Sequence, residues 1–193
     1  MTWREYIQKT INKKPHELLI KATSLVESTE PKRALDLGAG ALGDSKYLAS
    51  KGYEVTAVDS EESVKYLTSG IPNLTVIVIP MENFVPDGEY DLVNAQYALP
   101  FVSKEHFWKV LTMAIGSLKM GGIFCGTFFG PEDEWHNDST LTFVSKNELE
   151  KKLLAYDLDV FYNEEEKGIS KTAAGGNKFW HVFHIIARKH IDK

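Results

Sequence analysis

The chain has a single cysteine, Cys125, among 193 residues. One thiol excludes an internal disulfide and any cysteine-built metal cluster. Cys125 lies in the apolar run GGIFCGTFFG and reads as core packing. No stretch reaches the ~18 continuous apolar residues of a membrane-spanning helix, so a soluble protein is expected. The opening residues, MTWREYIQKTINKKPHELL, lack the apolar segment and small-residue cleavage site of a secretory signal, and a cytoplasmic protein is expected. A sustained cluster of Lys and Arg is missing as well. With a formal charge of −5 and only the short terminal stretches INKK and ARKHIDK to draw on, a nucleic-acid or anionic-membrane partner is not expected. H-E-x-x-H and other metal-ligand spacings do not occur, so no metal is expected. Internal repeats, low-complexity tracts and linkers are absent, which points to one domain over residues 1–193.

What is present is an alternation of strands and helices. Two helical patterns open the chain: TWREYIQKTI, then PHELLIKATSLVES (residues 15–28), where Pro15 suits a first turn and Leu18, Leu19, Ala22, Leu25 and Val26 form one stripe. RALDLG, YEVTAVD, NLTVIVI, YDLVNA and IFCGTFF read as buried strands, with KMGG as the turn before the last of them. DSKYLASKG, SEESVKYLTSG and residues 104–118 read as the intervening helices, Ser60 capping the second and Gly70 ending it. After a further helix, SKNELEKKLLAYD, come LDVFYNEEE and KFWHVFHIIARK. Two consecutive strands without a crossover helix pair antiparallel. The acidic run NEEEKG reads as a turn between strands. The expected fold is therefore α/β: a Rossmann-like, doubly wound, mostly parallel seven-stranded sheet ending in an antiparallel hairpin, with residues 1–30 as a helical lid on a core spanning 31–193.

The turn after the first strand, in RALDLGAGALGD, fits G-x-G-x-x-G, a loop that lays a nucleotide-like ligand over a helix N-terminus. Asp59, at the end of the second strand, is about 20 residues on, where an acid meets a ribose diol. A dinucleotide and S-adenosylmethionine both carry such a ribose. Asp36 separates them: a carboxylate two residues before the first glycine repels a pyrophosphate but suits an ammonium and a sulfonium. Helices ahead of the first strand and the closing hairpin are also foreign to a dehydrogenase sheet.

In three segments, ALDLGAGALGDSKYLASKGYEVTAVDSEESV, GEYDLVNAQYALPFV and LKMGGIFCGTFFG, the chain resembles the class I S-adenosylmethionine-dependent methyltransferases over residues 31 to 188. Through DGEYDLVNAQYALPF and HVFHIIARK it is most similar to their small bacterial tellurite-resistance-type and thiol-methyltransferase-like members. The resemblance implies S-adenosylmethionine as cofactor. Gly38, Ala39 and Gly40 would pass under its methionine part, Asp36 would hold its ammonium and Asp59 its ribose hydroxyls, with Ser60 beside it. Asn94 and Ala95 would line the methionine side. Many members place an Asp after the third strand for the adenine amine; here Pro80 precedes Met81 and Glu82, which would pack on adenine and replace the acid. Each residue also has a purely structural reading: Asp36 or Asp59 as a cap, Asp44 as a helix-start residue, Met81 as core.

Methyl transfer aligns nucleophile, methyl and sulfonium and keeps water away. The expected acceptor is a small molecule, its pocket built from NAQYALPF, FFGPEDEWHND and MTWREY. Tyr97, Phe101, Trp135, Trp3 and Tyr6 would give it an aromatic lining, and Tyr97, Trp135, His136 and His181 are the candidate catalytic groups. His136 and His181 are the available proton acceptors, each with a structural or surface reading as its default; alternation puts His181 and His184 on opposite faces. A non-catalytic S-adenosylmethionine-binding module and an NAD-dependent oxidoreductase stay open as alternatives. The acceptor's identity and the oligomeric state are not legible in the sequence.

Overall fold

The computed structural model describes residues 1–27, 31–68, 70–173 and 175–190. Seven strands form one sheet: β1 (Lys32–Leu37), β2 (Tyr53–Asp59), β3 (Leu74–Val78), β4 (Tyr90–Ala95), β5 (Leu118–Phe129), β6 (Leu158–Lys171) and β7 (Asn177–Lys189), in the order β3-β2-β1-β4-β5-β7-β6. β1 to β5 run parallel, and β7 is antiparallel to both β5 and β6. This is the expected mostly parallel seven-stranded sheet with a terminal hairpin. The chain's direction across the sheet reverses between β1 and β4, so the loops leaving their C-terminal ends splay apart and open a crevice there.

Among the described residues there are five α-helices: α1 (Trp3–Thr10), α2 (Glu17–Thr23), α3 (Gly43–Ser50), α4 (Lys104–Gly116) and α5 (Lys146–Ala155). Alternation along β1 sends Leu35 and Leu37 into a core with Phe107 and Leu111 of α4 and Leu149 of α5, and sends Ala34 into a second core with Leu18 and Leu19 of α2 and Leu48 of α3. β4 is buried along its whole length, as a central strand covered on both faces must be. Cys125 belongs to the second core, and burial pushes its thiol well above the ordinary range.

Several expected boundaries shift for local reasons. The second helix is short, starting after His16 so that Pro15 lies outside it. At its end Thr23 Oγ1 donates to Ile20 O (2.8 Å) and Ser24 Oγ to Lys21 O (2.7 Å), hydroxyls that compete with helix continuation. The expected helix over residues 60–70 is a 3-10 turn, Glu62–Leu67, capped by Glu61 rather than Ser60. Asp59 Oδ1 accepts from Glu61 N (2.9 Å) and bends the chain before an α-helix can start. KMGG is no turn: it lies within β5, where Gly121 has φ +77° and the pairing to β4 shifts register. The acidic run is no turn either; Glu164, Glu165 and Glu166 lie in the middle of β6, which stays paired with β7 as far as Lys171 opposite Asn177. Ser28, Ser69, Ala174 and the end of the basic terminal stretch lie outside the described residues.

Candidate functional site

At the C-terminal edge of the parallel strands lies a cavity of about 870 Å³, walled by α1 and the α1–α2 link, the glycine loop, the β4 and β5 loops and the β6–β7 hairpin. The glycine loop is locked to β2: Val58 O accepts from Gly38 N (2.8 Å) and Ala39 N (3.1 Å), and Asp59 Oδ2 accepts from Gly40 N (2.7 Å). Gly38 has φ +68°, and a Cβ there would stand 2.4 Å from Ala98 Cβ, so only glycine lets the two loops meet.

Asp36, Asn94 and Cys125 occupy one register row across β1, β4 and β5. That row explains a buried polar chain. Asn94 Nδ2 donates to Asp36 Oδ1 (2.8 Å) and to Asp44 Oδ2 (3.1 Å), Ser45 Oγ donates to Asp36 Oδ2, and Gln96 Nε2 donates to Asn94 Oδ1 (3.0 Å). His16 completes it, its main-chain N–H and Nδ1 each 2.9 Å from Asp44. Burial, and then the charge of Asp44, raise Asp36 to about 7. Asp44 is buried too, but its bonds to His16 outweigh burial and hold it below the usual range.

The far end of the cavity is aromatic. Tyr97, in a left-handed conformation (φ +51°) with its N–H on Thr127 Oγ1, sets its ring 5.8 Å from Trp180 and 6.4 Å from Phe129. Burial, then the nearby Glu166 charge, push its hydroxyl up to about 12. Behind Trp135 and Trp180 the buried Lys178 ammonium stands 3.9 Å and 3.6 Å from their ring centroids and pairs with the buried Asp133 at 2.6 Å. Trp3 and Tyr6 of α1 close the mouth, Trp3 5.1 Å from Phe101.

Of the residues singled out in the sequence, Asp36, Gly38, Ala39, Gly40, Asp59, Ser60, Met81, Glu82, Tyr97 and Trp135 line this one cavity. Asn94 and Ala95 do not line it; Asn94 acts behind Asp36. His136 and His181 lie off its wall. His181 Nδ1 accepts from Glu132 N (3.1 Å) while Nε2 meets Glu165 Oε1 at 3.1 Å, and His136 Nδ1 is 2.9 Å from Asp133 O. Sequence reasoning missed Lys13, His16, Glu166 and Trp180, all on the wall. Trp180 had a signal: with Val182 and His184 it forms the face of β7 opposite His181. Among the described residues no group of three or more His, Cys, Asp or Glu is arranged to hold a metal, and no helix is long and apolar enough to cross a membrane.

A family model described as tellurite resistance protein TehB matches residues 3–186. In structure the chain is similar to TehB from Haemophilus influenzae, with 19% identity and a TM-score of 0.74 over 90% of this chain and 62% of that one. This chain thus spans less than two thirds of that protein. It is similar to an S-adenosylmethionine-dependent methyltransferase from Methanosarcina mazei (18% identity, TM-score 0.70, 93% of this chain and 100% of that). A third likeness is to the 1,6-didemethyltoxoflavin-N1-methyltransferase of Burkholderia thailandensis, solved with 1,6-didemethyltoxoflavin and S-adenosylhomocysteine (19% identity, TM-score 0.67, 90% of this chain and 79% of that). No curated protein matches the chain by sequence.

Proposed function

We propose, for a chain that belongs to the tellurite resistance protein TehB family within the class I S-adenosylmethionine-dependent methyltransferases, that it binds S-adenosylmethionine in this cavity and methylates a small-molecule acceptor there. One observation carries the cofactor: the N–H groups of Gly38, Ala39 and Gly40 are already taken by Val58 O and Asp59, while three carboxylates, Asp36, Asp44 and Asp59, surround the loop. A pyrophosphate would find no free donor among those three groups and would meet negative charge. A ligand with an ammonium, a sulfonium and a ribose diol fits the same surroundings.

In this reading Asp36 takes the ammonium and Asn94 and Ser45 hold its carboxylate still. Asp59 keeps lone pairs for the ribose hydroxyls beyond its bonds to Gly40 and Glu61, with Ser60 beside it. Met81 packs on adenine and Glu82 faces its amine. When bound, S-adenosylmethionine supplies an electrophilic methyl on a positively charged sulfur. The aromatic wall of Tyr97, Phe129, Trp135 and Trp180 excludes water and favours the sulfonium charge. With its pKa at about 12, Tyr97 stays protonated and orients the acceptor as a hydrogen-bond donor. Catalysis rests on positioning and desolvation. Of the expected lid over residues 1–30, α1 serves as the lid of a single domain, while α2 packs into the second core instead; one unpaired thiol is in keeping with a cytoplasmic protein.

Isothermal titration with S-adenosylmethionine, S-adenosylhomocysteine and NADH tests the cofactor. Micromolar binding of the first two and none of NADH is expected; the reverse overturns the reading. Labelled methyl from S-adenosylmethionine, offered with thiol, phenol, amine and oxyanion acceptors, then tests transfer. Binding with no transfer to any of them would make the protein a non-catalytic binding module.

A further inference from the structure

A methyl acceptor reaches a sulfonium in one of two charge states. Thiols, phenols and oxyanions react as anions and need a cation beside them, whereas an amine arrives as a cation and reacts as the neutral base after losing one proton. The charged groups at the aromatic end of the cavity discriminate between the two.

The Lys178 ammonium at that end is out of reach. Its side chain is 1% exposed, pairs with Asp133 at 2.6 Å and stands over the rings of Phe129, Trp135 and Trp180, so the pair adds no net charge to the wall. Lys171, exposed on the rim, belongs by alternation to the other face of β6 from Glu166. Lys13 and Lys14 belong to the link after α1, where Lys13 Nζ is 3.2 Å from His16, itself bonded to Asp44 at the start of α3.

The carboxylate at this end is Glu166. Register sets Glu166 opposite Val182 and Gly168 opposite Trp180, so Glu166, Trp180 and His184 share the face of the hairpin that borders the cavity. Glu166 Oε2 accepts from His184 Nε2 at 2.9 Å, a bond that in the neutral ring orients the carboxylate without cancelling its charge. Oε1 has no partner among the described residues. The His184 ring in turn packs 6.5 Å from that of Tyr97, whose hydroxyl is raised by burial and then by the Glu166 charge. An incoming anion would meet this carboxylate with no accessible cation on the same face; an ammonium would find a free acceptor next to an apolar wall.

We propose that the acceptor is an amine on an apolar body, its ammonium held by Glu166 Oε1 and its body lying against Tyr97 and Trp180. The proposal rests on the S-adenosylmethionine reading above. One proton passes from the ammonium to Glu166 and on to water, the side chain being 47% exposed. The freed nitrogen lone pair forms the N–CH3 bond as the S–CH3 bond breaks, and the electron pair of the broken bond stays on sulfur. The products are the methylated ammonium, S-adenosylhomocysteine uncharged at sulfur, and the proton released to water.

The full chain saturated with S-adenosylhomocysteine is titrated with 2-phenylethylamine and with 3-phenylpropionate, the same apolar body carrying opposite charges. Labelled methyl from S-adenosylmethionine is then offered to 2-phenylethylamine and to 2-phenylethanethiol. The amine is expected to bind at least about tenfold more tightly than the carboxylate, which juxtaposes like charges, and to be methylated faster than the thiol. Glu166→Gln, which keeps the shape and removes the charge, is expected to weaken the amine roughly ten- to hundredfold, the loss of one charged hydrogen bond, and to leave S-adenosylhomocysteine within about threefold. That retained binding also shows that the variant is folded. Glu164→Gln, which removes a charge two residues away on the same face, changes little. Tighter binding of the carboxylate, faster methylation of the thiol, no binding of either probe, an unchanged amine Kd in Glu166→Gln, or an equal loss in Glu164→Gln overturns the assignment. Failure of S-adenosylhomocysteine to bind the unaltered chain instead overturns the cofactor reading.

Discussion

Asp59 Oδ2 accepts the Gly40 main-chain N–H at 2.7 Å, tying the end of β2 to the glycine loop that leaves its neighbour β1. The same carboxylate, proposed to hold the ribose, therefore also shapes the loop beneath the cofactor. Asp59→Ala is expected to weaken S-adenosylhomocysteine by about 1.5–3 kcal/mol for the charged hydrogen bonds lost. Calorimetric titration measures this, and an unchanged Kd in a folded variant removes Asp59 from the site.

Asp36 titrates near 3.9 in an unfolded chain and at about 7 in the folded protein. Below the lower value both states keep the proton and burial carries no ionic cost. Between the two values only the unfolded chain releases it, so this carboxyl's contribution to stability falls as pH rises through that window, reaching its full penalty above about 7. Asp36→Asn lacks the titration. Urea unfolding at intervals from pH 4 to 8 should show the variant gaining on the parent as pH rises, and parallel curves would mean that Asp36 is ionised throughout.

Lys178 and Asp133 are both buried, and the lysine's ammonium lies over three aromatic rings. Lys178→Met leaves Asp133 with the Trp135 and His181 N–H groups only. A cost of about 3 kcal/mol in urea unfolding is expected, because one partner of a buried pair is left uncompensated. The Lys178→Met/Asp133→Asn double variant should recover part of it; if it is worse by the sum of both single changes, the pair is not coupled.

Two glycines offer a paired comparison. Gly38→Ala forces a Cβ to within 2.4 Å of Ala98 at a positive φ, whereas Gly168→Ala in β6 meets nothing within 4 Å. The first should lose at least about 2 kcal/mol and most cofactor affinity; the second should stay within about 0.5 kcal/mol of the parent. Thermal unfolding in the presence and absence of S-adenosylhomocysteine reads both quantities.

How much of this was legible depends on the range over which each feature is specified. The sheet and its hairpin follow from local periodicity, and the glycine loop with Asp36 and Asp59 from short spacings. The bonds that complete the site join residues far apart in sequence: His16 with Asp44, 28 positions on, and Lys178 with Asp133, 45 positions back. No local pattern encodes such pairs. β6 outran its expected end because an exposed edge strand need not alternate apolar and polar residues, so NEEEKG resembles a turn. The 3-10 turn after β2 escaped notice because Asp59's side-chain bond, not propensity, sets the chain's direction there.

β6 ends the sheet, and a strand of fourteen residues with a partner on one edge only is a template on which another chain can grow. Its midpoint carries three successive glutamates. A second copy laid along that edge about its centre would bring carboxylates close together, so the acidic run opposes self-pairing at this end of the sheet.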